Sequence, residues 1–411
     1  MLGQRKESSM TIKNLNCPVT QVTRGYYYHF FGYYDKSNWD PSGRYLLCLR
    51  TAPFKRYMSM EDLAMIGVLD AHHGFGFRPL SQTTAWNWQQ GAQAAWLDRF
   101  GDGLDFIHNI RTSKGYASAI VNAEKPGEER LLPLPIYSVT ADSHYALCLN
   151  YLRLRYTHPT IGYAAPAVPE PDPHPRNDGL FLMDIQSGDS RLVISLDDLC
   201  QLEHHGSMEN ACHWVTHVNP NPSGNRVAFL HRFMKKGESK TFVSNRLVAA
   251  NIDGSEAVVL ESDEPPFDRG YALSHPNWFG NDHIMIWHGP NKHYQRYHHR
   301  SGEEDIIGAE DLTGNGHFSQ CPVNPDWMVS DTYPDQNGNH PLFLYQLSTE
   351  TRLQVAHFRP DPEISGDTRC DLHPRWSRDG RTIGVDCSMN HDRQMYLVDV
   401  SNCPHLVGIA L

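Results

Sequence analysis

One pattern recurs four times in the second half of the chain and constrains the fold more than any other feature. Each copy begins with a histidine, passes through a turn rich in Asn, Pro, Asp, Ser or Gly, and continues as an apolar strand. The leading histidines are His217, His275, His317 and His373, at intervals of roughly 40 to 60 residues. A repeat of this length predicts a propeller or array, whose units bury their faces against one another.

The first half of the chain carries the same strand and turn pattern without the histidines. The predicted fold is therefore all-β, a seven-bladed β-propeller, with six or eight blades as alternatives because blades two and five are weakly patterned. Residues 1–24 form an N-terminal arm, and its segment 19–23 is a candidate for the strand that closes the last blade. Residues 25–411 form a single propeller domain, with a proline-rich insertion at 157–177.

Bulk properties exclude several kinds of partner. The net charge is -11 and no basic tract is present, which argues against a nucleic-acid or anionic-membrane partner. The first eleven residues are polar, and no run of about 18 apolar residues occurs. The nine cysteines are odd in number and mostly within apolar strands, as expected of reduced thiols in the cytoplasm. We expect a soluble, cytoplasmic monomer or homodimer.

The histidines predict a metal centre. First strands line the channel of a propeller, so equivalent residues of successive blades converge on its axis. Imidazoles favour a divalent transition metal, with Mn or Zn as the expected ion. The predicted ligands are His217, His275, His317, His373, Gln90 and Cys370. The alternative for each histidine is a hydrogen-bonded structural role, and for the cysteine a buried thiol.

Arginines near the ends of second strands predict an acidic substrate, because the guanidinium fork matches a carboxylate. A metal beside arginines in an aromatic channel suits β-elimination on a uronate, in which the cation acidifies the C5 proton and a base removes it. The predicted catalytic residues are His231 as the base, Arg232, Tyr333 and Tyr151. The predicted substrate-binding residues are Arg50, His108, Arg111, Arg155, Trp88 and Tyr163.

Other enzyme classes lose support. The sequence contains no Gly-x-Ser-x-Gly elbow, no phosphate-binding glycine-rich loop and no His-Glu-x-x-His motif. Propeller hydrolases and lactonases usually surround calcium with Asp, Glu and Asn, whereas the predicted face here is rich in histidine.

The motifs at residues 274–278 (Ser-His-Pro-Asn-Trp) and 371–376 (Asp-Leu-His-Pro-Arg-Trp) resemble those of propeller polysaccharide lyases, chiefly oligogalacturonate lyase and more distantly the ulvan lyases. The resemblance implies a seven-bladed propeller with a Mn-type cation held by histidines and a glutamine, and a histidine base beside an arginine. It assigns metal binding to His275 and His373. Arg375 stands where the family has a second histidine, so His217, His317 or a cysteine would complete the shell.

Two functions of different class follow. The first is a lyase that cleaves acidic, uronate-containing oligosaccharides by metal- and Arg-assisted β-elimination. The second is a non-catalytic TolB-like propeller that acts as a binding or scaffold module, in which the histidines are structural. Metal content separates them.

Overall fold

The inner strands of this chain are apolar on both faces. Leu46, Leu47, Cys48 and Leu49 lie in succession on one strand and are all fully buried, which requires a neighbouring sheet against each face. In the computed structural model, which describes residues 13–235, 243–263 and 273–406, the strands form seven sheets arranged as a seven-bladed β-propeller. The predicted fold class and blade number are confirmed.

Strands are numbered in chain order. The arm contributes β1 (Lys13–Asn14) and β2 (Val19–Gln21). Blade 1 consists of β3 (Tyr28–Phe30), β4 (Tyr45–Thr51), β5 (Ala64–Asp70) and β6 (Phe77–Thr83). Blade 2 consists of β7 (Ala95–Trp96), β8 (Asp105–Thr112), β9 (Gly115–Asn122) and β10 (Lys125–Leu132). Blade 3 consists of β11 (Ile136–Val139), β12 (Tyr145–Cys148), β13 (Gly179–Asp184) and β14 (Ser190–Ser195).

The four histidine repeats form the remaining blades. Blade 4 consists of β15 (Ala211–Pro220), β16 (Arg226–Lys235), β17 (Ser244–Asn251) and β18 (Val258–Asp263). Blade 5 consists of β19 (Leu273–Phe279), β20 (His283–His288), β21 (His293–His298) and β22 (Glu304–Ile307). Blade 6 consists of β23 (Phe318–Gln320), β24 (Trp327–Asp331), β25 (His340–Gln346) and β26 (Thr351–Phe358). Blade 7 consists of β27 (Arg375–Trp376), β28 (Thr382–Cys387) and β29 (Gln394–Asp399).

The N-terminal arm spans the last two blades. Strand β1 pairs in parallel with β26 at the edge of blade 6, and β2 pairs antiparallel with β29, so that Val19 lies opposite Val398. Strand β2 is thus the outer strand of blade 7, and the two ends of the described chain close the ring within one sheet.

Two short α-helices interrupt the strands. Helix α1 (Tyr151–Thr157) is capped by the Asn150 side chain, which accepts hydrogen bonds from two backbone N–H groups of the first turn. Tyr151 therefore begins a helix. Residues 158–178, which follow, contain no helix or strand. Helix α2 (Leu196–Gln201) has a capping box between Ser195 and Asp198. Neither described helix is long and apolar enough to cross a membrane.

A recurring tryptophan contact joins blades 2, 5 and 7 to the blade before each. The indole N–H groups of Trp96, Trp278 and Trp376 each donate to a backbone carbonyl in the inner-strand region of the preceding blade, at 2.9, 2.7 and 3.2 Å. Because each tryptophan is also buried, it both fills the space between blades and fixes their spacing. Each of these tryptophans therefore marks the same position in the inner strand of its blade.

A buried ion pair fixes the turn that enters the channel from blade 1. The Asp386 carboxylate receives two hydrogen bonds from Arg375, at 2.8 and 3.2 Å, and both side chains are almost fully buried. The same carboxylate accepts the backbone N–H groups of Phe31 and Gly32, at 3.2 and 3.1 Å. Gly32 has a φ of 127°, and a Cβ atom there would lie 2.6 Å from the Gln90 carbonyl carbon, so the turn requires glycine.

We expect deletion of residues 1–22 to destabilise the protein. The deletion exposes the edge of blade 7 and removes at least four backbone hydrogen bonds from the arm to blades 6 and 7, at about 1 kcal/mol each. Urea unfolding should show a loss of roughly 4 kcal/mol or more. Deletion of residues 1–10 leaves β1 and β2 in place and is the matched control; equal stability of the two truncated proteins would contradict this account.

We expect Asp386→Ala to cost about 3–5 kcal/mol in the free energy of unfolding, because Arg375 remains buried without a partner. The double variant Asp386→Ala, Arg375→Met should be less destabilised than the single variant, since it removes the uncompensated charge. Asp305→Ala breaks the more exposed Arg296–Asp305 pair and should have a much smaller effect. Equal losses in the single and double variants would show that the ion pair does not hold this turn.

Candidate active site

Four residues with polar side chains at the channel have a backbone conformation in the left-handed region. Gln93, His217, His275 and His373 have φ values of 54°, 54°, 58° and 46°. The pairing register shifts around His217, between Thr216 and Asn219, and around His275, between Ser274 and Asn277. Bulges of this kind re-aim a side chain and are common beside functional sites. Non-glycine residues in this region cost on the order of 1–3 kcal/mol each, and such strain clusters at active sites and ligand clamps.

The tryptophan markers identify the blade 2 member of this set. His275 and His373 each lie three residues before a marker tryptophan, and Gln93 lies three residues before Trp96. Gln93 therefore takes the position that the sequence analysis assigned to Gln90. Its Oε1 atom is buried and has no hydrogen-bond partner among the described residues.

Hydrogen bonds to neighbouring side chains fix the orientation of two of the histidines. His317 approaches both Asp331 carboxylate oxygens through Nδ1, at 3.1 Å, and His275 approaches Asn315 Oδ1 through Nδ1, at 3.0 Å. An imidazole that donates through Nδ1 carries a free lone pair on Nε2, the arrangement typical of metal-binding and general-base histidines.

The side chains of His317, Asp371 and His373 form a potential metal-binding group. Their ligand atoms all lie within 4.8 Å of one another, and the three residues are buried. The ring of His373 has no hydrogen-bond partner in the described part of the chain, which leaves its nitrogens available. A set of two imidazoles and a carboxylate suits a transition metal rather than calcium or magnesium, so the residues fit the predicted cation. Cys370 and Gln90 are not in this group.

His275 stands beside the group rather than within it. Its ring centroid is 4.3 Å from that of His317, and His317 is 4.3 Å from His373. Burial lowers the pKa of His275, His373 and His217 well below 6.5, with neighbouring cations and imidazoles adding to the effect. These rings are therefore neutral at physiological pH and retain their lone pairs.

Two tyrosines from the blade 1 turn occupy the middle of the ring. Tyr33 OH lies 2.6 Å from His217 Nε2, and the Tyr33 ring packs edge-on against His373 at 5.0 Å. Tyr34 packs against His275 and His317. Both phenols are buried, which raises their pKa far above the usual value, so both are protonated. Behind them the channel region contains a cavity of about 270 Å³ lined by residues that include Asp35 and Lys36.

One cation at the ring makes no hydrogen bond within the described residues, although the Asp263 carboxyl is near enough to oppose the lowering of its pKa by burial. No described residue accepts a hydrogen bond from Arg232, and its buried Nε atom is unsatisfied. Arg232 is partly exposed and, after burial, is the largest contributor to the lowered pKa of His217. A guanidinium in this state is a ready site for a carboxylate. Arg369 and Tyr333 are also partly exposed nearby, with Arg369 contacting Asp371 at 2.8 Å.

Hydrogen bonds tie three loops of blades 1 to 3 together. Trp86 and Trp88, in the connection between β6 and β7, donate to the Asp62 and Arg56 carbonyl oxygens. Asn87, between them, donates to the Ile161 carbonyl oxygen. The partly exposed residues at the ring are instead Arg232 on blade 4, Tyr333 after β24 of blade 6, and Arg369 before blade 7.

The predicted base His231 does not face the ring. His231 lies opposite Val215, and its Nε2 is 2.8 Å from Nδ1 of His213, with the two rings stacked. Successive side chains on a strand point to opposite faces, so the face that directs Arg232 to the ring directs His231 away from it. The base must be sought elsewhere.

The other predicted site residues form two groups, those at the ring and those away from it. The structure brings together His217, His275, His317, His373, Arg232 and Tyr333. Gln90 contacts the ring indirectly, through Tyr137. Its side chain donates to Tyr137 OH, which also accepts the backbone N–H of His217. Cys370 is fully buried and has a pKa raised by burial to about 12, as expected of a structural thiol.

The predicted substrate-binding residues have structural partners. His108 is fully buried, bonded to Ser81 and the Asn109 carbonyl oxygen, and burial lowers its pKa to about 4. The remaining arginines and aromatic residues contact protein groups: Arg50 over Tyr27 and Phe77, Arg111 with the Ala164 carbonyl oxygen, Arg155 over Tyr57, Trp88 against Phe54, and Tyr163 bonded to Asn109. Tyr151, which was predicted to be catalytic, is buried, stacks on Tyr163 and donates to the Ile136 carbonyl oxygen.

Several site residues were not predicted from the sequence. Gln93 could have been found from its spacing to Trp96. Asp371 lies two residues before a predicted ligand, so its type and spacing were a usable signal. Tyr33 and Tyr34 carried no such signal, because their position depends on the contact of their turn with Asp386 at the other end of the chain.

Comparisons with solved structures agree with this fold. An oligogalacturonate lyase from Vibrio parahaemolyticus superposes with a TM-score of 0.62 at 13% sequence identity, over 95% of this chain and 96% of that chain. An oligogalacturonate lyase in complex with manganese superposes with a TM-score of 0.64 at 14% identity, over 95% of each chain. A puromycin-hydrolyzing peptidase from Mycobacterium tuberculosis gives a TM-score of 0.51 at 11% identity, over 96% of this chain and 55% of that chain.

The sequence itself matches no protein-family model and no curated protein. At these identities the structural likeness shows the fold alone. The predicted resemblance to oligogalacturonate lyase is confirmed at that level, and the resemblance to ulvan lyases stays a prediction.

Proposed function

We propose that this protein is a lyase that cleaves uronate-containing oligosaccharides by β-elimination, assisted by a divalent transition metal, and leaves a 4,5-unsaturated uronate. The observation that carries the proposal is the convergence of a His-Asp-His group, a neutral histidine and an unpartnered arginine on one side of the propeller channel. The likeness to a manganese-bound oligogalacturonate lyase over nearly the whole chain supports it.

His317, Asp371 and His373 would hold the metal. When bound, the cation would supply Lewis-acid neutralisation of the substrate carboxylate, which acidifies the proton on the adjacent carbon. Mn and Zn both suit these ligands. Arg232 would bind the same carboxylate or that of a neighbouring sugar, since its fork has no acceptor within the described protein.

His275 would remove the C5 proton. Its Nδ1 is held by Asn315, its Nε2 has no hydrogen-bond partner among the described residues, and its low pKa keeps it neutral and able to accept a proton. It takes the role that the sequence analysis gave to His231. Because Arg232 and Tyr333 are partly exposed, the sugar chain would approach from their side.

The cellular setting is part of the proposal. All nine cysteines are free, which suits a reducing compartment such as the cytoplasm, where the substrate would be a short acidic oligosaccharide.

The first test measures metal content and lyase activity together. We expect about one divalent transition metal per chain in protein purified without chelator, and ultraviolet absorbance from unsaturated product with at least one uronate oligosaccharide. Metal without any unsaturated product would exclude the lyase, and the absence of both would favour the TolB-like binding module.

Two histidine substitutions should separate binding from catalysis. His373→Ala should lose both metal and activity. His275→Ala should retain the metal and lose about 10²- to 10⁴-fold in kcat, because only the base is removed. His298→Ala, at the partly exposed end of β21 in blade 5, is the matched control for histidine removal. Loss of metal in His275→Ala would make His275 a ligand instead of the base.

Arg232→Lys should raise KM by about 10- to 100-fold with bound metal unchanged. Lysine keeps the charge and loses the bidentate fork, at roughly 1.5–3 kcal/mol for a charged hydrogen bond. Arg300→Lys, on an exposed turn, should leave KM unchanged. An unaltered KM in Arg232→Lys would remove this residue from carboxylate binding.

The pH profile should reflect the neutral histidine. The base must be unprotonated, and a lowered pKa keeps it so to lower pH. We therefore expect kcat/KM to stay level as the pH falls from about 7.5 to 6.5 and to decline only well below 6.5, the ordinary pKa of histidine. An acidic limb centred above that value would argue against His275.

A further inference from the structure

The channel contains a hydroxyl group that the proposed reaction has not yet used. Tyr33 OH lies 2.6 Å from His217 Nε2, inside the ring formed by the metal-binding group, His275 and Arg232. The Tyr33 ring also lies 6.5 Å from that of His317, between centroids. The turn that carries Tyr33 is anchored through the Gly32 N–H to Asp386, so the hydroxyl is fixed in place.

The direction of this hydrogen bond depends on which ring nitrogen of His217 carries the proton, and Thr216 can match either tautomer. His217 Nδ1 is 2.9 Å from Thr216 Oγ1, and a threonine hydroxyl can rotate to donate its proton. When Thr216 donates to Nδ1, the neutral imidazole carries its proton on Nε2 and donates it to the Tyr33 oxygen. The proton of Tyr33 is then directed away from His217 and is free to meet a substrate oxygen.

Other phenols at the ring have different attachments. Tyr34 donates to the Pro276 carbonyl oxygen at 3.3 Å. Tyr137 accepts hydrogen bonds from the Gln90 side chain and the His217 backbone. Tyr333 is paired with Arg369. Tyr33 is the phenol among these four whose oxygen is held by a neutral imidazole alone.

We propose that Tyr33 is the general acid of the elimination, protonating the leaving oxygen as its bond to C4 breaks, with His217 as the residue that positions it. This inference rests on the proposed function. His275 takes the C5 proton, and the electron pair of that C–H bond forms the C4=C5 double bond. The C4–O4 electron pair leaves with O4, which takes the Tyr33 proton. The phenolate is held by the His217 Nε2–H and faces Arg232, and water returns its proton after the product departs.

A pair of substrates tests this role. One is the uronate disaccharide that the wild-type protein cleaves best, whose leaving group is a sugar alkoxide that needs a proton. The other is its analogue in which fluoride replaces the sugar oxygen at C4. Fluoride is a weak base that leaves without full protonation, and both reactions give the same 4,5-unsaturated uronate.

We expect Tyr33→Phe to lose about 100-fold or more in kcat on the disaccharide and less than about 10-fold on the fluoride. Its metal content should match that of the wild type. His275→Ala should be impaired on both substrates, because C5 proton removal is common to them. His217→Gln keeps a side-chain N–H donor and should retain more disaccharide activity than His217→Ala.

The control is Tyr396→Phe, which removes a buried hydroxyl on blade 7 that has no hydrogen-bond partner among the described residues. Equal loss on both substrates in Tyr33→Phe, or no loss on either, would overturn the acid role while leaving the lyase function intact. A wild-type protein inactive on both substrates would overturn the lyase and the acid role together. Loss of metal in Tyr33→Phe would make Tyr33 a support of the metal group instead.

Discussion

The carboxylate of Asp386 is the group on which the rest of the site depends. It forms a buried ion pair with Arg375, and its Oδ2 atom also accepts the N–H groups of Phe31 and Gly32. Burial of two charges costs free energy unless both are paired and hydrogen-bonded, and here the backbone N–H groups complete the pairing. The consequence is positional: a turn from the first blade is held against the last blade, and it delivers Tyr33 to the centre of the channel.

The histidines of the ring illustrate how a propeller concentrates uncharged bases. Each inner strand contributes one side chain, and the channel brings these together where water is largely excluded. Protonation of one imidazole is unfavourable because of desolvation and because its neighbours include Arg232 and other imidazoles. The protein therefore presents several lone pairs at neutral pH, with Asp371 in the metal-binding group and Asp331 behind His317 as nearby carboxylates.

The fold and part of the site could be predicted from the sequence, for different reasons. The repeat length and the turn residues predicted seven blades, because each blade is a local unit whose pattern is written in consecutive residues. The ring histidines were predictable because propeller geometry converts equivalent positions into neighbours. His231 was misplaced because side-chain direction on a strand depends on register, and a bulge at His217 shifts that register. Tyr33 could not be predicted, since its position is fixed by a contact between opposite ends of the chain.

The closure of the ring by the arm has a consequence for how the protein is made. Blades 1 to 6 each consist mainly of consecutive strands, so they can assemble as the chain leaves the ribosome. Blade 7 needs β2 from the beginning of the chain and β29 from near its end, and Asp371 and His373 lie just before its first strand. The metal-binding group is therefore among the last features to form, and an incompletely synthesised chain would carry most of the propeller without its chemical centre.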